Sequence, residues 1–176
     1  MNQEEYEYYY HVDIATQIEN NWNEDTALGI VKDSRKFSVL IKARDKETLK
    51  RRFIQNDGSD SDKKHNKRVV ALIYSYLLYN AIAEFPEANP LLLCRDVRPE
   101  HNVMQYWQKI CSYYKNQKVR NRVIKFRKRE DRRDEKLPKS LAGRYVRKVF
   151  QGNLSPNKTI SKEELEELIN LISKLL

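Results

Sequence analysis

The feature that most constrains this chain is the apolar pattern inside residues 64–85. Val69, Leu72, Ile73, Tyr76 and Leu77 recur at intervals of three and four, the repeat of one helix face. Tyr74, Leu78, Tyr79 and Ile82 widen that face. A helix apolar over most of its circumference is buried rather than laid on a surface. The rest of the chain therefore has to cover it, and Pro86 and Pro90 end it because proline cannot continue a helix.

The segments before it have a different period. Residues 8–15 are aromatic and β-branched, as a strand prefers. Alternation puts Tyr8, Tyr10, Val12 and Ile14 on one face and Tyr9, His11 and Asp13 on the other. A carboxylate in such a run is costly to bury unless a cation meets it. A metal ion, a neighbouring Lys or Arg, or a strand end open to water would each answer. Residues 16–26 are polar and read as a loop. Residues 27–31 and 37–41 are strand candidates joined by the turn residues Asp33, Ser34 and Arg35, hence a hairpin. Residues 45–54 carry a Glu-to-Lys/Arg order that supports a short helix, and residues 56–63 break it.

After the long helix, residues 91–94 form a continuous apolar run, as in a strand covered on both faces. Pro99 can open a helix through Tyr114, with Val103, Tyr106, Trp107, Ile110 and Tyr114 inward. Residues 118–128 read as a basic strand with Val119, Val123 and Phe126 apolar, and residues 129–136 as a charged loop. Residues 138–151 predict an amphipathic helix stopped by Gly152. Ser161 and Glu164 form a capping-box pair opening a last helix. Its apolar face, Leu165, Leu168, Ile169, Ile172 and Leu175, either docks on the core or meets a partner.

Composition narrows the function. The 34 Lys+Arg against 25 Asp+Glu give a formal charge of +9, which favours polyanions: nucleic acid first, acidic lipid or protein surfaces second. A solvated basic surface is the plainer alternative. Four glycines and no Gly-rich phosphate loop argue against a nucleotide-binding loop. Cys94 and Cys111 lack metal-ligand spacing and read as reduced core residues. No run approaches the ~18 apolar residues of a membrane span, and the start lacks the basic-then-apolar order of a signal peptide. The expectation is a cytoplasmic protein without a membrane partner. Its 176 residues divide into one domain, 1–152, and a linker with a terminal helix, 153–176.

The predicted order is strand, strand, strand, helix, strand, helix, strand, helix, then the terminal helix. It describes an α/β fold with a mixed five-stranded sheet flanked by helices. Asp13 stands in the first strand, Gly29 in the second and Asp96 at the end of the fourth. In this order and these residues, roughly the first 150 positions resemble the ribonuclease H-like superfamily of nucleases, resolvases and transposases. The resemblance implies that Asp13 and Asp96 hold Mg²⁺ or Mn²⁺, hard ions suited to oxygen ligands. It implies cleavage of DNA or RNA phosphodiesters by in-line attack of water.

The resemblance also implies further acids. Glu47, an acid within residues 57–62, and Glu84 are the candidates from the first helical region. In the last helix Gly143 stands where many relatives carry Asp, and Glu130, Asp131, Asp134 and Glu135 upstream alternate with Arg and Lys. On their own, Asp13 reads equally as half of an ion pair and Asp96 as a helix cap. His11, on the face of Asp13, is a secondary ligand or proton shuttle, and a satisfied structural histidine is the simpler reading. His65 and His101, near helix starts, read as solvated.

The basic stretch 115–133 is the strongest binding signal. Arg120, Arg122, Lys125, Arg127, Lys128 and Arg129 would contact phosphates, with Phe126, Tyr113 and Tyr114 available for stacking. Lys50, Arg51 and Arg52 would extend that surface. Two other functions stay open: a catalytically degenerate nucleic-acid-binding or assembly protein, and a subunit using residues 161–176 to pair as a homodimer or with a protein partner.

Overall fold

Thirteen elements follow one another in a computed structural model that describes residues 3–19, 21–56, 58–93, 99–127 and 141–176. They are α1 (Gln3–Tyr8), β1 (Tyr10–Ala15), β2 (Thr26–Lys32), β3 (Arg35–Ile41), α2 (Ala43–Phe53), α3 (Asp60–Glu84) and β4 (Leu91–Leu93). α4 (Glu100–Tyr113), α5 (Gln117–Arg120), β5 (Ile124–Phe126), α6 (Leu141–Phe150), β6 (Lys158–Thr159) and α7 (Lys162–Leu175) complete the chain. The strands form one sheet in the order β5-β4-β1-β2-β3-β6. β2 is antiparallel to β1 and β3, while β4 pairs parallel with β1, β5 with β4 and β6 with β3. The result is a mixed α/β sheet flanked by helices.

The period-2 alternation of β1 divides the molecule. Tyr10, Val12 and Ile14 join Leu28, Ile30, Val39, Ile41, Leu91 and Leu93 in the main core with α3, α4 and α7. On the opposite face Ala15, Ala27 and Leu40 pack under Val146 and Val149 of α6, and Tyr6, Tyr9 and Leu92 form a smaller cluster under α1. The hairpin turns at Asp33, whose φ of 55° suits a residue that tolerates the left-handed region.

Four boundaries differ from the sequence reading. The first strand starts at Tyr10, because the residues before it wind into α1. The long helix starts at Asp60 because the Ser59 side chain accepts from Asp62 N, so a polar stretch that looked like a break is a capped first turn. Residues 118–128 are not one strand. Asn116 caps α5 through Val119 N, and only Ile124–Phe126 pairs with the sheet. A sixth strand, β6, extends the sheet beside β3. Cys94, residues 128–136 and the first residues assigned to the last core helix, 138–140, lie outside the described residues.

α7 turns its apolar face inward, with Leu165, Leu168, Leu171 and Ile172 buried in the main core. The capping box at Ser161 and Glu164 is formed in both directions. Tyr76 Oη donates to the Glu164 carbonyl at 2.9 Å, and Tyr114 Oη donates to Glu167 at 2.8 Å. Leu168 is fully buried, so Leu168→Ala should destabilise the chain by about 3 kcal/mol. Urea denaturation would show this as a lower midpoint at unchanged slope; a variant as stable as wild type would mean the helix contributes little to this core.

No helix among the described residues is long and apolar enough to cross a membrane.

Candidate functional site

Asp13 is half-buried on the α6 face of β1. The ladder sets it opposite Gly29, and Gly29 opposite Ser38. A groove of about 420 Å³ opens there, lined by Asp13, Ala15, Thr16, Gly143, Arg147 and Gln151 among others. Asp13 Oδ1 accepts a hydrogen bond from Ile14 N at 2.9 Å. α6 approaches this row closely: a Cβ on Gly29 would lie 2.2 Å from Val146 Cγ1 and 3.1 Å from Tyr145 Cδ1. Glycine is needed here for space, not for an unusual φ. Tyr145 Oη donates to Asn157 Oδ1 at 2.9 Å, the same oxygen that accepts from Ser38 N at 2.9 Å. α6 is thereby tied across β2 to β3.

The groove's other wall is the chain leaving β1. Thr16, a β-branched residue, has φ of 66°, a conformation that costs about 1–3 kcal/mol and persists only where surroundings hold it. Thr26 Oγ1 donates to the Thr16 carbonyl at 3.2 Å. Lys46, fully buried on α2, donates to Thr26 Oγ1 at 2.6 Å and to the Asn21 carbonyl at 2.7 Å. Burial pulls the Lys46 ammonium down to about 8, against the opposing pull of Asp25 and Glu24.

Between pH 8 and the ordinary 10.5, the unfolded chain holds that proton more tightly than the folded one. The lysine's contribution to stability therefore rises with pH across this window. Wild type should gain about 3 kcal/mol on Lys46→Met between about pH 7.5 and about pH 10.5, read as the difference between their urea midpoints. A difference independent of pH would contradict the burial of a charged ammonium.

His11 shares the face of Asp13 but is buried beneath α1. Its Nε2 lies 3.0 Å from the Tyr6 carbonyl and its ring packs 4.1 Å from that of Tyr6. Desolvation, opposed by that hydrogen bond and reinforced by Arg127 and Lys32, lowers its pKa. It is a satisfied structural histidine. His65, expected to be solvated, is half-buried with Nε2 2.9 Å from the Phe53 carbonyl, and His101 is exposed. Burial pushes the Cys111 thiol up to about 12, keeping it protonated and unreactive.

The other acids fall elsewhere. Glu47 pairs with Arg51 at 3.2 Å and does not line the groove of Asp13. Asp60 pairs with Lys63, Asp62 is buried in the first turn of α3, and Glu84 pairs with Lys158. Asp96, Asp57 and the acids of residues 130–135 lie outside the described residues. Among the described residues, no group of three or more His, Cys, Asp or Glu is placed to hold a metal ion.

The cations of the basic stretch separate into different settings. Arg120 is exposed and lines a shallow groove with Gln105, Lys109 and Tyr113. Arg122 is half-buried and donates to the Pro86 carbonyl. Lys125 is exposed and pairs with Glu5 at 3.2 Å. Arg127, expected on the surface, is buried with its guanidinium 5.2 Å from the centre of the Tyr6 ring. Lys128 and Arg129 lie outside the described residues. Sequence reasoning missed Arg147 and Gln151, which signal only as polar positions on an amphipathic helix. It also missed Lys46, one lysine in a charged helix.

In comparisons with known proteins, the chain matches no family model, no curated protein and no solved structure.

Proposed function

We propose that this chain is a ribonuclease H-like domain that processes phosphodiesters of DNA or RNA with a divalent metal ion. The observation that carries the reading is the surroundings of Asp13. It stands on a central strand whose parallel neighbour, β4, leads directly into the segment bearing Asp96. β4 ends with Leu93 opposite Val12, one residue before Asp13, and ligands of such sheets usually sit in the crevice at the carboxyl ends of the strands. The strand order β3-β2-β1-β4-β5, with β2 reversed, supports the same reading.

Carboxylate oxygens are the donors that Mg²⁺ and Mn²⁺ prefer, so Asp13 fits such an ion, with Asp96 as its proposed second ligand. A bound ion would supply an activated water and charge stabilisation at the leaving oxygen. The chain's own residues position and neutralise. Arg147, exposed on the groove wall, would meet a phosphate oxygen, and a guanidinium can do so with two parallel N–H bonds. Arg120 and Lys125 would meet the backbone farther away.

Purified protein incubated with labelled DNA, RNA and hybrid should cut at least one of them with Mn²⁺ or Mg²⁺ and stop on chelation. Binding without cutting under all of these conditions would refute hydrolysis. It would leave the second reading, a catalytically degenerate nucleic-acid-binding domain. The presence of both Gly143 and Arg147 in the groove favours that alternative, since a cation stands one helical turn from a position without an acid.

A further inference from the structure

Residues 63–68, Lys-Lys-His-Asn-Lys-Arg, put four permanent cations on the first half of α3. Lys63, Lys64, Lys67 and Arg68 are all exposed. Lys63 pairs with Asp60 at 3.1 Å; Lys64, Lys67 and Arg68 are in no ion pair among the described residues. Lys67 stands on a ridge between two grooves. One, of about 260 Å³, is shared with Glu19 and Trp22 of the segment leaving β1, which fixes this half of α3 at the carboxyl end of the sheet. The other, of about 440 Å³, is lined by Lys64, Lys67 and Arg68 from α3 and by Pro99, His101 and Asn102 at the start of α4.

This second groove is chemically suited to phosphate. Its two walls offer ammonium, guanidinium, imidazole and amide donors. Arg68 Nε donates to Tyr106 Oη at 3.0 Å, which fixes the guanidinium while using one of its five N–H bonds. Among the described residues, the large exposed apolar side chains are Tyr8, Tyr113, Val123, Leu141 and Leu154. None lines the groove, whereas a surface that sits in lipid carries apolar residues beside its cations. We infer that the α3–α4 groove seats the backbone of a nucleic acid and leads it along the carboxyl edge of the sheet toward Asp13. The inference rests on the nucleic-acid part of the proposed function and is independent of cleavage.

Fluorescence anisotropy with a fluorescein-labelled 12-nucleotide DNA and its RNA counterpart tests it. Lys64→Ala/Lys67→Ala should weaken binding at least about tenfold and flatten the salt dependence of log K by about one to two. Lys67→Arg should retain wild-type affinity, as should Lys162→Ala on α7. Since both groove lysines are exposed, melting temperatures should match. Wild-type affinity and salt slope in the double variant would overturn the groove while leaving the nucleic-acid reading in place. Failure of wild type to bind either oligonucleotide would overturn both. Lysine-dependent binding to phosphatidylserine vesicles, with none to oligonucleotides, would overturn the choice of partner.

Discussion

Asp13→Asn should lower Mn²⁺-dependent cleavage by at least about 10³-fold while the protein unfolds at its usual urea midpoint. The substitution keeps the side chain's shape and an oxygen able to accept from Ile14 N. It removes the negative charge on which a hard cation depends. Losing several kcal/mol of metal-derived stabilisation corresponds to about three decades in rate. Single-turnover cleavage measures the loss, and denaturation of the same preparation controls for folding. A variant that cleaves at the wild-type rate would mean that Asp13 holds no metal.

Gly29→Ala should be the most damaging one-carbon addition in the sheet. Alanine in a strand would otherwise gain about 0.5–1 kcal/mol over glycine from the unfolded chain. Here the added carbon meets Val146 Cγ1 at 2.2 Å, and a β-branched side chain in a helix has essentially one rotamer with which to respond. Overpacking of this kind costs about 1–3 kcal/mol, so the clash wins and α6 must lift from β2. Gly143 and Arg147 ride on that helix, and the groove beside Asp13 would deform with it. Gly29→Ala should therefore lose both stability and activity. Gly29→Ala/Val146→Ala should be more stable than the sum of the two single losses allows. Strict additivity would show that the close approach is not what selects glycine.

Much of this architecture is legible because short-range periods and cap chemistry are local. Alternation in β1 sorts Tyr10, Val12 and Ile14 from Asp13 and His11, and the three- and four-residue spacing from Val69 onward reads directly as α3. The Ser161–Glu164 pair marks the start of α7 without ambiguity. Other features depend on contacts that no window contains. Val119 and Val123, four apart, suit a helix or a strand, and the Asn116 cap decides for the helix before β5 begins. A small residue at Gly29 is visible in the sequence; its reason, a crossing helix, is not.

Charged residues mislead most. Lys46 and Arg127 have the composition of surface cations yet are buried by partners distant in sequence, the 21–26 segment for one and Tyr6 for the other. Conversely, Lys64, Lys67 and Arg68 lie in a helix whose apolar side dominates the pattern, and only the start of α4 makes their side a groove. The proposed metal site rests on two aspartates and a strand order, and of the two only Asp13 lies among the described residues.

A crystal soaked in Mn²⁺ would show directly whether Asp13 and Asp96 share one cation. One anomalous peak should appear, with carboxylate oxygens of both Asp13 and Asp96 at roughly 2–2.5 Å. Asp13 and Asp96 on opposite sides of the sheet, or each bonded to an arginine with no ion between them, would contradict it.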